Sequence, residues 1–164
     1  MVEDVIVASI AFLLVTASFP FYIYGAWIMI DTEVVTWDTL VYHLKFIVTG
    51  LVLNTVPVVS WMIPRLLDQL GGLAALHAFL GLQAYALLLF ALTGIFHILQ
   101  AKRRLNLYAD PDPDIELDDI HENMPAWRFR LRVGVFGYVV FWILAYVVGV
   151  MRFVVLYQIV QWSI

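Results

Sequence analysis

The sequence predicts an all-α integral membrane protein, a four-helix bundle with a long acidic cytoplasmic loop between its third and fourth helices. Hydrophobic residues make up 63% of the 164-residue chain and charged residues only 13%. Soluble domains are roughly half apolar and about a quarter charged. The mean hydropathy of +0.91 also indicates a membrane protein. A soluble domain of this composition would lack the polar residues needed to cover its core.

Four apolar segments are the second basis for this prediction. A bilayer core of about 30 Å requires about 20 apolar residues in a helix. Segments at about residues 5–30, 44–63, 73–100 and 133–157 meet this length. Each is predicted to be helical, because lipid offers no partner for unpaired backbone groups. They form a single predicted transmembrane domain, residues 1–164, with the loop at 101–132.

Two basic clusters predict the orientation of the chain. The loop opens with "KRR" at residues 102–104 and closes with "RFRLR" at residues 128–132, whereas the other connections and tails hold few cations. Basic residues favour the cytoplasmic side of a membrane. We therefore expect a multi-pass protein of the plasma membrane with a cytoplasmic loop and with both termini outside. The acidic start "MVED" lacks the basic region of a signal peptide, so the first span is predicted to be retained.

The cysteine and histidine content restricts the possible cofactor sites. The chain has no cysteine and four histidines, which excludes disulfides, thiolate metal sites and covalent haem attachment. His43 and His97 are predicted to lie in the same leaflet on consecutive helices, His97 about one and a half turns inside the boundary. They are candidate ligands of a haem b clamped between helices 2 and 3, with Gly50 and Gly94 leaving room for the macrocycle. Alternatively, His43 lies among the headgroups and His97 bonds a neighbouring helix.

The remaining polar residues of the spans are interpreted as structural. His77 is predicted near the outer face, about 30 Å from His97, with one hydrogen-bond partner such as a backbone carbonyl. Asn54 and Gln83 are predicted near mid-membrane on helices 2 and 3, where an amide-to-amide hydrogen bond would join the helices. Arg152 is expected to extend to the outer interface or to pair with Asp68.

Common catalytic patterns are absent from the sequence. It contains no Walker loop, G-x-S-x-G elbow, HExxH motif or carboxylate pair within a span. Proton or ion transport usually requires a chain of buried ionisable residues, and transporters usually show repeated, broken helices. We therefore expect a protein that is not an enzyme, with no metal site and no nucleic-acid partner.

The run "YHLKFIVTGLVLNTVPVVSWMIPRLLDQLGGLAALHAFLGLQAYALLLFALTGI" at residues 42–95 loosely resembles four-helix, histidine-bearing membrane proteins of the cytochrome b561-like type. Together with "HENMPAWRFRLRVGVFGYV" at residues 121–139, it more closely resembles an uncharacterised haloarchaeal four-helix membrane family. That second resemblance implies an association with the cytochrome bc-type complex. Neither resemblance supplies a catalytic residue; His43 matches the histidine-bearing pattern best.

The leading functional hypothesis is an accessory, non-catalytic subunit of a respiratory electron-transfer complex of the cytochrome bc type. Its expected partners are membrane lipids and cytochrome b-like transmembrane subunits. The first alternative is a small b-type cytochrome that carries its own haem on His43 and His97. The second is a membrane assembly or lipid-packing factor.

Overall fold

The computed structural model of the protein describes residues 2–65, 71–109 and 116–157, and these residues are helical apart from their connections. The four long helices are α1 (Val2–Asp31), α2 (Trp37–Pro57), α3 (Leu73–Arg104) and α4 (Met124–Leu156). Each is long and apolar enough to cross a membrane. The predicted class, an all-α chain with four potential spans, is therefore confirmed for the described residues.

The helices extend beyond the apolar segments that predicted them. α2 begins at Trp37 because the Thr36 side chain caps it, accepting the backbone N–H of Thr39 at 3.3 Å. α4 begins at Met124, directly before Pro125, a residue suited to the first turn of a helix. The connection between α3 and α4 is therefore residues 105–123, shorter than the predicted loop at 101–132. Its sequence still contains seven Asp or Glu residues and no Lys or Arg.

The backbone explains why α2 and α3 end where they do. Pro57, the last residue of α2, lacks the N–H that would continue a regular ladder, and a π-helical turn follows at Val58–Met62. α3 ends in a Schellman motif: Asn106 has a φ of 57°, and the N–H of Leu107 donates to the carbonyl of Lys102 at 3.1 Å. The chain therefore turns sharply at the end that carries the basic residues.

The helices form two tightly packed hairpins, α1 with α2 and α3 with α4. In the second hairpin, a Cβ on Gly134 would lie 2.6 Å from the backbone nitrogen of Ala91, so only glycine allows this approach. In the first hairpin, a Cβ on Gly50 would lie 2.9 Å from the Tyr22 ring. Small residues of this kind let membrane helices approach closely.

In an up-down bundle, the first and third connections lie at one end and the second connection lies at the other end. Contacts at both ends of this bundle agree with that arrangement. The backbone N–H of Trp37, at the start of α2, donates to the carbonyl of Tyr108 at 3.2 Å. The α1–α2 and α3–α4 connections therefore share one end. At the other end, Arg65 forms a 2.9 Å ion pair with Asp4, and the Tyr157 hydroxyl donates to the Asp4 carbonyl at 3.4 Å.

Candidate functional site

The structure does not bring His43 and His97 together. The Nδ1 of His43 lies 2.7 Å from the carbonyl oxygen of Gly25 on α1. The His97 ring instead stacks on Trp127 of α4, with ring centroids 5.0 Å apart. Each imidazole therefore has a partner within its own hairpin, and the haem clamp between α2 and α3 stays a prediction.

The space expected beside these two histidines is also filled. The Tyr22 ring occupies the position that the missing side chain of Gly50 leaves. At Gly94, the backbone of α4 around Trp127 approaches so closely that a Cβ would collide with the Trp127 carbonyl. Both glycines therefore lie at close contacts between helices.

His77 and Arg152 lie near one another on α3 and α4. The His77 ring packs on Gly149, where an added Cβ would lie 3.1 Å from the ring atoms Cε1 and Nε2. Arg152 lies one helical turn after Gly149 on α4 and therefore close to His77. The predicted carbonyl partner of His77 is not found among the residues that the structure describes. The alternative partner predicted for Arg152, Asp68, lies outside the described residues.

Asn54 is the most fully enclosed polar residue of α2, with 3% of its surface exposed. Its amide Nδ2 donates to the Tyr85 hydroxyl at 3.3 Å, and its Oδ1 accepts the indole N–H of Trp142 at 3.1 Å. The predicted Asn54–Gln83 pair is therefore wrong, because Tyr85 and Trp142 take both ends of the Asn54 amide. Gln83 is two residues from Tyr85 and therefore lies on another side of α3.

Two further hydrogen bonds extend this arrangement. The hydroxyls of Tyr22 and Tyr138 lie 3.0 Å apart, and those of Thr55 and Tyr85 lie 2.9 Å apart. All four helices thus contribute to one group of residues, which we call the interhelical polar network: Tyr22, Asn54, Thr55, Tyr85, Tyr138 and Trp142.

The interhelical polar network lies against the apolar core. Ala84, Tyr138 and Trp142 form the buried core cluster. Phe19 reaches Trp142 from α1 with ring centroids 4.3 Å apart. Bonded polar groups are stable in such surroundings, whereas an unpaired one would be costly. The network therefore joins the two hairpins at defined contacts.

Sequence reasoning found only Asn54 among these residues. The available signal was the presence of tyrosines and a tryptophan well inside the spans, away from the interfacial positions that they usually occupy. Tyr85 and Trp142 are such cases. Their hydroxyl and indole groups need partners in lipid, so their depth alone indicates an interhelical contact.

The chemistry of the network is that of neutral hydrogen bonding. Phenol, hydroxyl, amide and indole groups are uncharged at neutral pH. They can hold helices at fixed distances, but they provide neither a carboxylate nor a cation for charge transfer. The site is therefore suited to maintaining a rigid bundle.

A model of a protein family matches almost the whole chain. Residues 4–158 match the family model described as a domain of unknown function, DUF7321, and the chain belongs to that family. No curated protein and no solved structure matches the chain.

Proposed function

We propose that this DUF7321 protein is an accessory, non-catalytic subunit of a larger membrane complex, a respiratory electron-transfer complex of the cytochrome bc type. The observation that carries the proposal is Gln83, a polar residue within the span of α3. It makes no hydrogen bond to any residue in the described part of the chain, and its surface is partly exposed.

Gln83 contrasts with the interhelical polar network. The Asn54 amide and the Trp142 indole at similar depth are paired with other protein groups. An amide in hydrocarbon without a partner costs free energy, of the order of several kcal/mol in the most apolar reference solvents. A polar side chain on a partner helix would remove this cost, as interhelical amide bonds do in membranes.

The residues around Gln83 have the pattern of a helix-packing face. Leu76, Phe79, Gln83 and Phe90 follow one another at spacings of three, four and seven residues. Such spacings place them on one side of a helix. Leu76, Phe79 and Phe90 are 45%, 55% and 38% exposed, so the described helices leave much of the stripe uncovered. A single polar residue within an apolar stripe favours one register and one partner.

We call this stripe the Gln83 face, and its proposed occupant is a cytochrome b-like transmembrane helix. The respiratory assignment is supported by the resemblance of residues 42–95 and 121–139 to a family associated with the cytochrome bc-type complex. In the proposed orientation, the acidic connection at 105–123 faces the cytoplasm of the cell and both termini lie outside. The basic residues at both ends of that connection support this sidedness.

Co-purification tests the proposal. The tagged protein, extracted from its own membranes in a mild detergent, is expected to migrate on a native gel well above its 18.8 kDa mass. The band should contain haem-absorbing partners in fixed stoichiometry. Gln83→Leu should release the chain from this band.

Thr93→Val is the matched control, since the Thr93 hydroxyl is already bonded to the Phe90 carbonyl of its own helix at 2.7 Å. This variant should remain in the complex. Migration of the wild-type chain alone would refute the proposal. Haem absorbance from the isolated chain would instead identify a b-type cytochrome, and the absence of both haem and partners would favour a lipid-packing or assembly factor.

A further inference from the structure

A cavity lies at the basic end of the second hairpin, between the end of α3, the connection before α4 and the first turn of α4. Its volume is about 270 Å³, and its lining includes His97, Gln100, Arg104, Ile120, His121 and Trp127. The cavity does not involve the interhelical polar network. Its position next to the residues 102–104 and 128–132 places it at the boundary of the predicted spans.

Three neighbouring aromatic rings form one wall of the cavity. The Trp127 ring is adjacent to both histidine rings, with centroid distances of 5.0 Å to His97 and 4.5 Å to His121. The interplanar angle between His97 and Trp127 is 16°. These three residues come from α3, from the connection and from α4, so the wall forms only in the folded chain.

The hydrogen bonding of His121 leaves a donor available. The backbone N–H of Asn123 donates to His121 Nδ1 at 3.1 Å. In the neutral ring the proton is therefore on Nε2, which remains a donor. Gln100 adds an amide and Arg104 adds the five donors of a guanidinium group. The cavity thus combines several N–H donors with an aromatic and aliphatic wall.

Arg104 lines the cavity and has no ion-pair partner in the part of the chain that the structure describes. Its neighbours in sequence are engaged elsewhere, since Lys102 lies over the Tyr108 ring and Arg103 over the Trp37 ring. Arg104 forms no ion pair with any acid among residues 2–65, 71–109 and 116–157. The nearby Asp118 is paired with Arg128 at 2.7 Å, and no Asp or Glu of the described residues lines the cavity.

We propose that this cavity binds the phosphate headgroup of an anionic membrane phospholipid. Guanidinium, imidazole and amide donors together match the oxygens of a phosphate. Basic pockets between transmembrane helices at this depth are suited to lipid headgroups. The apolar wall at Ile120 and Trp127 suits the glycerol region of a lipid better than it suits a free ion. The inference does not depend on the proposed respiratory function.

Lipid titration of the purified full-length chain tests the proposal. Native mass spectrometry in detergent would compare added dioleoylphosphatidylglycerol with dioleoylphosphatidylcholine. The wild type should retain the anionic lipid preferentially. Arg104→Gln should weaken its retention by about tenfold, the effect of losing one charge-assisted hydrogen bond. Arg132→Gln carries the same charge change on an exposed residue outside the cavity, and should alter retention less than about twofold.

Two results would overturn the inference. If Arg104→Gln and Arg132→Gln lowered the retention of the anionic lipid equally, the lipid would bind to a diffuse basic surface instead of to a site. Displacement of the lipid by an equal concentration of inorganic phosphate would assign the cavity to a free anion. A diazirine-bearing phosphatidylglycerol provides a second measurement on the wild type, which needs no variant to fold: labelling should concentrate in residues 116–132. Labelling spread evenly over the basic end would also refute the site.

Discussion

The indole N–H of Trp142 donates to Oδ1 of Asn54 at 3.1 Å, a bond that joins α4 to α2 across 88 residues of sequence. Both residues are buried, with 8% and 3% of their surfaces exposed. α2 and α4 belong to different hairpins, so this bond helps to hold the hairpins together. It is the contact on which the stability of the bundle should depend most directly.

Replacing Asn54 should destabilise the bundle. Asn54→Leu leaves the Trp142 N–H without its acceptor and Tyr85 without one donor, so we expect a loss of about 1 to 2 kcal/mol in unfolding free energy. Unfolding in mixed micelles, followed by circular dichroism, measures this loss. Thr49→Val is the control, because the exposed Thr49 hydroxyl bonds only to Lys45 of its own helix. Equal stabilities for the two variants would contradict the prediction.

The Tyr22–Tyr138 contact should appear as a coupling energy. Tyr22→Phe and Tyr138→Phe each remove one hydroxyl of the 3.0 Å pair while keeping the rings. A double-mutant cycle should give a coupling of about 0.6 kcal/mol, typical of hydrogen bonds between membrane helices. Additive single effects would mean that the two hydroxyls do not interact in the folded protein.

Replacing a glycine by alanine should lower stability at the α3–α4 contact but not at an open position on the surface of α3. Gly134→Ala would place a Cβ 2.6 Å from the Ala91 nitrogen. The hairpin would have to separate, at an expected cost of about 1 to 3 kcal/mol. Gly81→Ala is the matched control, because a Cβ there would meet no atom within 4 Å. Its stability should be unchanged or slightly higher, since alanine favours helix formation. The same unfolding assay compares them, and a stable Gly134→Ala would refute the predicted close contact.

Cysteine labelling should reveal the sidedness of the two ends. The natural chain has no cysteine, so single substitutions carry no background. Glu33→Cys and Glu116→Cys lie in the two connections at the same end, and both should be protected from a membrane-impermeant maleimide in intact cells. Gly71→Cys lies in the opposite connection and should be labelled. The reverse pattern would invert the proposed orientation, and different behaviour of the first two variants would contradict the up-down bundle.

The positions of the spans could be predicted from sequence because the length of an apolar run is a local property. The prediction for α3 began at the observed residue, Leu73. The ends beyond the apolar part were missed: α2 starts at Trp37 and α4 at Met124. Capping by Thr36 and the proline at position 125 continue these helices past the segments that hydropathy detects.

The candidate site was predicted only in part. Asn54 was correctly singled out as an interhelical polar contact, but its partners are Tyr85 and Trp142 rather than Gln83. Tyr85 and Gln83 are two residues apart and therefore lie on different sides of α3. Choosing between them requires knowing which side of α3 approaches α2. The rotation of α3 about its own axis cannot be read from a single sequence.

The chain's apolar runs by themselves determined four helices long and apolar enough to cross a membrane, since the length of an apolar run is a local property. Only the tertiary structure decided which helices form hairpins and which polar groups meet. Close approach at Gly50 and Gly134 sets the distance and rotation of each helix pair. Those two quantities direct His43 to the Gly25 carbonyl and His97 to the Trp127 ring, although both imidazoles had been expected at the same depth.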